Sequence, residues 1–566
     1  MKKYYDAIIV GAGHNGLTAA AYLARAGQEV LVLERRDPIG GCLSAEAPFE
    51  GFRLAPCTPT GQAARPRIVR DLRLDVYGLE FLEHDPLVHC PGSKPLTLWK
   101  DAQRAAEEIA QHSPRDAGRY LEFTAFLDRV AAALQPMLDE TPGHPDTTEP
   151  FEMLGLANLG LRVRMLGKED LHRLMRVGTM PLQDLLDEWF ETELLKAALA
   201  APALEGRYAG PRSPGTAAAL IYQRLAGARG TYRGSMAMLP ETLASVVKDH
   251  GGEIRTGTEV QEIVVENGKA VAVLVGKKEE IRGRRIVCAC DPKRALLDLV
   301  DPLHLEPSVL RDTRSILMRG TTAVVNLALK GLPGFGEADR LKGRIHIGPD
   351  LESLERAFDD AKYGRLSKRP ALLAVIPTIA DPALAPYDRH LMQVEVRYAP
   401  YHLREGNWNE LRDTLAERVV ETLSGHADGF EKLVLHAQVL TPLDLESQYA
   451  LTEGHIHHGE HNLHQLYFLR PTPRCSRYET PIRNLHLCSA GTHPGGTTTG
   501  ACGANAARQL LAEEPGQTLG RAKAAVKTPV GAGLAVGAGL ALLGAGLAAG
   551  AALKAIKSDK KEKEEG

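Results

Sequence analysis

The chain has 566 residues, with 68 Lys and Arg against 71 Asp and Glu for a net charge of −3. That balance excludes the broad basic face a nucleic-acid binder needs. With 44% hydrophobic and 25% charged residues and a mean hydropathy of −0.19, the composition is that of a soluble globular protein and not of a polytopic membrane protein. The eight cysteines are scattered, which rules out a dense disulfide framework and suits a reducing compartment.

No charged-then-apolar leader opens the sequence, since the run Ala7 to Val10 stops at glycine after four residues, so a cytoplasmic body that is not secreted is expected. Asp6 to Val10 reads as a β-strand. Gly11-Ala12-Gly13-His14-Asn15-Gly16 follows, then an Ala/Leu-rich helix to about Ala26 and a second strand from Glu29 to Leu33 that ends at Glu34. In such a unit Gly11 makes the tight turn, Gly13 lets the backbone approach a pyrophosphate and Gly16 allows close helix–strand packing, with His14 and Asn15 at the helix N-terminus facing the phosphates. Glu34 lies 23 positions after Gly11, near the spacing of about 20 at which a carboxylate binds the ribose hydroxyls. The motif serves FAD and NAD alike, and Arg35 and Arg36 leave room for a 2′-phosphate. Gly40-Gly41-Cys42, directly after the second strand, suits a loop running alongside an extended diphosphate.

These segments resemble the FAD-binding domain of the amine oxidase and carotenoid desaturase superfamily. Gly251 to Val260 resembles the strand whose valine, here Val260, reaches the adenine through its backbone. Asn484 to Gly496 and Thr497 to Ala501 resemble the C-terminal flavin motif, which implies that Gly491, Gly496, Thr498, Thr499 and Gly500 stand at the cofactor. Further motifs narrow the resemblance: Leu443-Asp444-Leu445-Glu446, Leu451-Thr452-Glu453-Gly454, His458-Gly459-Glu460, Phe468-Leu469-Arg470-Pro471 and Cys290-Asp291-Pro292-Lys293. Over about 1–512 the chain resembles the pyridine nucleotide-disulfide oxidoreductase domain-containing protein 2 family, allied to bacterial phytoene desaturases and retinol saturases. The resemblance implies FAD as cofactor and an α/β fold in which a Rossmann-like FAD-binding domain is interleaved with an α+β substrate domain. It also implies a phytoene desaturase-like FAD-dependent oxidoreductase that moves a hydride to or from a C–C bond of a hydrophobic substrate, isoprenoid, polyene-like or lipid. An amine-oxidase-like enzyme on a soluble substrate and a non-catalytic membrane-associated flavoprotein are the alternatives. Despite the family name, no Cys-x-x-Cys or Cys-x₄-Cys pair sits beside the flavin loop, so dithiol chemistry is not expected. After Gly51-Phe52, where desaturases commonly carry an acid before Gly-Pro, this chain reads Arg53-Leu54-Ala55-Pro56-Cys57, a departure that counts against a carotenoid substrate.

The FAD-binding domain is then expected from 1–90, 231–300 and 476–515, with a helical substrate or lid insertion at 91–230 and a substrate domain of sheet and helices at 301–475. Leu182, Leu185, Leu186 and Trp189, then Leu194, Leu195, Ala198 and Leu199, recur at helical spacing and read as core or as the wall of an apolar substrate tunnel. The alternation Met392-Gln393-Val394-Glu395-Val396-Arg397 suits a half-buried sheet forming a substrate floor over the flavin. His455, His457, His458, His461 and His464 are dense enough to raise metal binding, but Glu453 and Glu460 are the only acids nearby. No metal is expected; the histidines read as a polar lining near the flavin, or as exposed or satisfied core groups. No nucleophile constellation stands out, as suits hydride transfer, and His458 and Arg470 are the weak catalytic candidates.

After a linker at 516–527, Thr528 to Leu553 is 26 residues without a charge, framed by cations, and 554–566 is a charged tail. A bilayer needs about 20 apolar residues, so 528–553 reads as a C-terminal apolar membrane helix whose flanks meet anionic lipid. Only eight of its residues are Leu or Val, which makes the drive to insert weak. Gly533-x-x-x-Gly537 and Gly546-x-x-x-Gly550 suit close helix packing and hence a homo-oligomer. A helix packed on protein, or a flexible Ala/Gly tail, is the alternative.

Overall fold

The computed structural model describes residues 4–277 and 279–513. The expected linker at 516–527, the apolar helix at 528–553 and the tail at 554–566 lie outside the described residues. Among the described residues no helix is long and apolar enough to cross a membrane. Among the described residues two compact units form, one of residues up to 142 with 162–509, the other of 143–161 with 510–513. The sheets, the core and the site below belong to the first unit.

The first sheet is built on β1 (Tyr4–Val10), which runs parallel to β2 (Val30–Leu33) on one side and to the strand Glu279–Cys288 on the other. Ile8 pairs in register with Leu31 and Ile286, and these side chains are fully buried. Strands covered on both faces need such unbroken apolar runs. α1 (His14–Arg25) links β1 to β2. Glu253–Arg255 extends the sheet beyond β2, while Lys269–Val275, Val260–Glu266 and the late strand Leu485–Leu487 complete the far side. Three distant stretches of sequence thus close one sheet.

The second sheet has the strand order Val434–Leu440, Thr322–Leu329, His390–Arg397, Ala371–Val375, Arg344–Ile347, Val88–Cys90 and Leu96–Leu98. Val88–Cys90 therefore leaves the expected 1–90 segment and joins the substrate sheet, pairing with Arg344 and Ile345. One face packs Ile345, Leu372, Met392, Val394 and Val396 against Trp408, Leu415 and Val419 of the helix Trp408–Ser424. The sheet is more than half-buried: Gln393 and Arg397, on the opposite face, are 3% and 4% exposed. Of that polar half, Glu395 lines a cavity, while Gln393 Nε2 donates to Asn326 Oδ1 at 2.8 Å and Ala55 O at 3.3 Å.

Helices dominate residues 102–226, interrupted before and after by strands at Leu96–Leu98 and Arg229–Tyr232. Leu182, Leu185, Leu186 and Trp189 pack with Phe123, Phe126 and Leu195 in one hydrophobic cluster. None of the stripe residues lines the cavity described below, so the stripes are core and not a tunnel wall. The helical faces that do reach the cavity carry Pro202, Ala203, Ala219, Tyr222, Gln223 and Ala226.

Candidate active site

A cavity of about 590 Å³ runs from the β1–α1 loop to the polar face of the second sheet. At its first end the loop geometry follows from the glycines. Gly11 has φ +104°, a conformation that favours glycine. A Cβ on Gly16 would lie 2.3 Å from Gly11 O and 2.8 Å from Ala289 Cβ, so only glycine lets α1 approach the sheet this closely. A Cβ on Gly13 would meet nothing within 4 Å: the space in front of the helix is open. No side chain caps α1, which leaves first-turn N–H groups to a phosphate. Glu34 is 6% exposed; its Oε2 accepts from Ala12 N at 2.8 Å and its Oε1 from Arg36 N at 2.9 Å, which holds the carboxylate at the cavity wall. Gly40, Gly41, Cys42, His14, Asn15 and Val260 also line this region. An open cradle, uncapped N–H groups and a carboxylate at the cavity wall together fit FAD.

Arg35 and Arg36 do not wait for a 2′-phosphate. Arg35 Nη2 donates to Gln448 O at 2.7 Å and Ser447 O at 3.1 Å. Arg36 pairs with Glu46 at 2.6 Å and lies over the Tyr449 ring at 4.6 Å. Both residues also line the cavity, with these donors engaged by the chain itself. Cys42 and Cys57 bring their thiols together, both remaining free. A hydrogen bond from Cys42 and burial push the Cys57 thiol up, the reverse of what a thiolate relay needs.

The C-terminal flavin motif divides in two. Gly496 and Thr498 line the cavity; Gly491, Thr499 and Gly500 do not. A Cβ on Gly491 would lie 2.4 Å from Pro292 Cδ, and one on Gly500 2.9 Å from Thr18 Oγ1, so these glycines permit packing. Thr499 Oγ1 bonds Thr497 Oγ1 at 2.8 Å and braces the loop ahead of the helix Ala501–Ala512.

The histidines separate by position. His457, His458 and His461 line the cavity. The rings of His457 and His461 stack at 4.8 Å with 6° between their planes. His461 Nε2 accepts from Gly496 N at 3.1 Å, and His457 Nε2 donates to Glu205 O at 3.3 Å. His455 turns inward, its Nδ1 accepting from His457 N and Gly459 N, and His464 is exposed. Burial lowers His457 to about 4 and His461 well below its ordinary value, with the nearby Arg470 adding to the effect, so both are neutral at pH 7. His458 is also lowered by burial, has φ +52°, and holds a buried Nδ1 with no partner.

Arg470 is not a catalytic candidate. It is 1% exposed, and its guanidinium donates to six backbone carbonyls, those of His457, Gly459, Glu460, Gln465, Ala490 and Thr492, at 2.8–3.3 Å. With every donor engaged it clamps the histidine loop to the flavin motif.

At the far end, Glu205, Arg229, Arg344 and Glu395 line the cavity, a charged group that no sequence motif announces. Its one sequence signal was the polar register Gln393, Glu395, Arg397. Burial alone would raise Glu205, but Arg229, Arg397 and Arg344 outweigh it and hold the carboxyl at about 2.

Residues 82–511 match the flavin-containing amine oxidoreductase family, and residues 9–60 match an NAD(P)-binding Rossmann-like domain. The chain belongs to the flavin-containing amine oxidoreductases. Among its relatives is the pyridine nucleotide-disulfide oxidoreductase domain-containing protein 2 of Rattus norvegicus, 34% identical over 90% of this chain and 93% of that one, which places it in that protein's family too. A limonene dehydrogenase polypeptide of Castellaniella defragrans is 27% identical, covering 90% of this chain and 94% of its own. An oxidoreductase structure from Methanosarcina mazei shares the fold, with a TM-score of 0.57 at 15% identity, 90% of this chain and 100% of that one being covered. As a flavin-containing amine oxidoreductase, this protein is an FAD-dependent oxidoreductase.

Proposed function

We propose that the enzyme dehydrogenates a C–C bond of a largely hydrophobic substrate held between the flavin motif and the second sheet. The observation that carries this reading is the cavity lining, to which Pro202, Ala203, Ala219, Leu373, Val375 and Ile456 contribute apolar side chains. Aromatic walls of the kind that hold a cationic amine are sparse: among the described lining residues, Tyr222 and Tyr449 are the only Phe, Tyr or Trp. Tyr449 already covers Arg36 and Tyr222 leans on His461. A relative whose name declares limonene as its substrate supports an apolar reactant.

Bound FAD supplies the acceptor for a hydride. The chain's part is orientation, exclusion of water and management of the proton left on the neighbouring carbon. His458, neutral and with Nδ1 free of partners, is the cavity group suited to accept it. His457 and His461, held by Glu205 O and Gly496 N, brace the cavity wall at the flavin motif. Anaerobic titration tests the reading: isoprenoid hydrocarbons and unsaturated lipids should bleach the flavin, and primary amines should not. Bleaching by amines alone would overturn it.

A further inference from the structure

The far end of the cavity carries more positive charge than the chain neutralises. Arg344 and Arg397 come from the polar face of the second sheet and Arg229 from the strand Arg229–Tyr232, and the three share one buried neighbourhood with Glu205 and Glu395. Three guanidinium groups thus face two carboxylates. Arg229 is engaged, bonding Glu205 through Nη2 and Thr60 Oγ1 through Nε at 3.4 Å. Arg397 Nη2 stands 3.4 Å from Glu395 Oε1 but makes no hydrogen bond, and its Nε and Nη1 are also unpartnered. Arg344 is 4% exposed, lines the cavity, and has Nε and Nη1 buried without an acceptor. The surroundings do not restore the balance. Arg207 adds a further cation and donates to His461 O, while burial lowers His84, beside Arg344, to about 3 and keeps it neutral.

Buried guanidinium groups without acceptors are strongly disfavoured unless an anion supplies them. A carboxylate matches the planar fork of donors on arginine. We propose that the substrate is an amphipathic acid whose carboxylate accepts from Arg344, with Arg397 behind it, while its hydrocarbon part lies along the apolar wall towards His458. This rests on the proposed hydrophobic substrate and adds a charged head to it.

The test uses the FAD-loaded enzyme and measures binding, so it needs no turnover. Octanoate and 1-octanol are titrated calorimetrically into wild type, Arg344→Gln, Arg344→Lys and Arg397→Gln. Octanoate is expected to bind at least tenfold more tightly than 1-octanol. Arg344→Gln should abolish that preference while leaving flavin content and 1-octanol binding in place, and Arg344→Lys should retain part of it. Equal binding of acid and alcohol to wild type overturns the proposal and leaves the apolar-substrate reading standing. A preference for octanoate that survives in both glutamine variants overturns it as well. Binding of neither ligand overturns both readings.

Discussion

Gly13 and Gly16 stand three residues apart in one turn, yet replacing them should damage different properties. A Cβ at position 16 lies 2.3 Å from a backbone oxygen and 2.8 Å from another Cβ, against an ordinary separation of about 3.5–4.0 Å. In Gly16→Ala, α1 must therefore retreat from β1 by about 1 Å, the overpacking that costs about 1–3 kcal/mol. Position 13 is different. Its backbone, at φ −69° and ψ 165°, is the extended conformation that valine adopts readily, and nothing lies within 4 Å of the added carbon. Gly13→Val apoprotein should keep its stability within about 0.5 kcal/mol. The same side chain fills the space in front of the helix N-terminus and would displace a diphosphate from its N–H donors. Loss of two charge-assisted bonds at about 1.5–3 kcal/mol each weakens FAD by about 100-fold or more. The ratio of flavin to protein absorbance after purification, with thermal unfolding of the apoproteins, reads both effects. Gly13→Val protein carrying a full complement of FAD, or Gly16→Ala protein melting with wild type, would refute the reasoning.

Arg470→Met should lose stability and not merely turnover: six carbonyls lose their donor, and a single unsatisfied buried group already costs about 1–3 kcal/mol, so a variant that melts with wild type would show that the clamp carries no load. Acid should destabilise the fold. His14, His457 and His493 are lowered by burial to about 4 against about 6.5 unfolded. Between those values the unfolded chain binds the extra protons, so stability is full above about pH 6.5 and falls towards pH 4, by up to about 1.4 kcal/mol per pH unit for each histidine. A melting temperature unchanged between pH 7 and pH 5 would contradict this. Finally, protein cut after Gly520 should remain yellow and soluble while the full chain sediments with anionic vesicles; full-length protein that stays in the supernatant removes the expected lipid contact of residues 528–553.

The first end of the site was legible in the sequence because its chemistry is local. A tight turn, a helix start and a strand end are each specified within a few residues, so Gly11, Gly13, Gly16 and Glu34 could be placed by spacing alone. The same holds for Gly40 and Gly41, where two adjacent glycines adopt φ +111° and +56°. Long-range matters were not legible. Spacing could not show that Arg470 meets six carbonyls drawn from His457 to Thr492, because a buried guanidinium and a catalytic one look alike in a motif. Nor could alternation in Met392 to Arg397 tell solvent from cavity, since both demand polar side chains on one face; only the packing of Glu205 and Arg229 opposite that face decided it. The helical stripe around Trp189 was ambiguous for a related reason, as apolar periodicity fixes which face is buried and not what buries it. Sequence order set the local conformation of each segment, and tertiary packing alone brought Arg229, Arg344 and Arg397, from three separate strands of two different sheets, to one uncompensated cluster of charge.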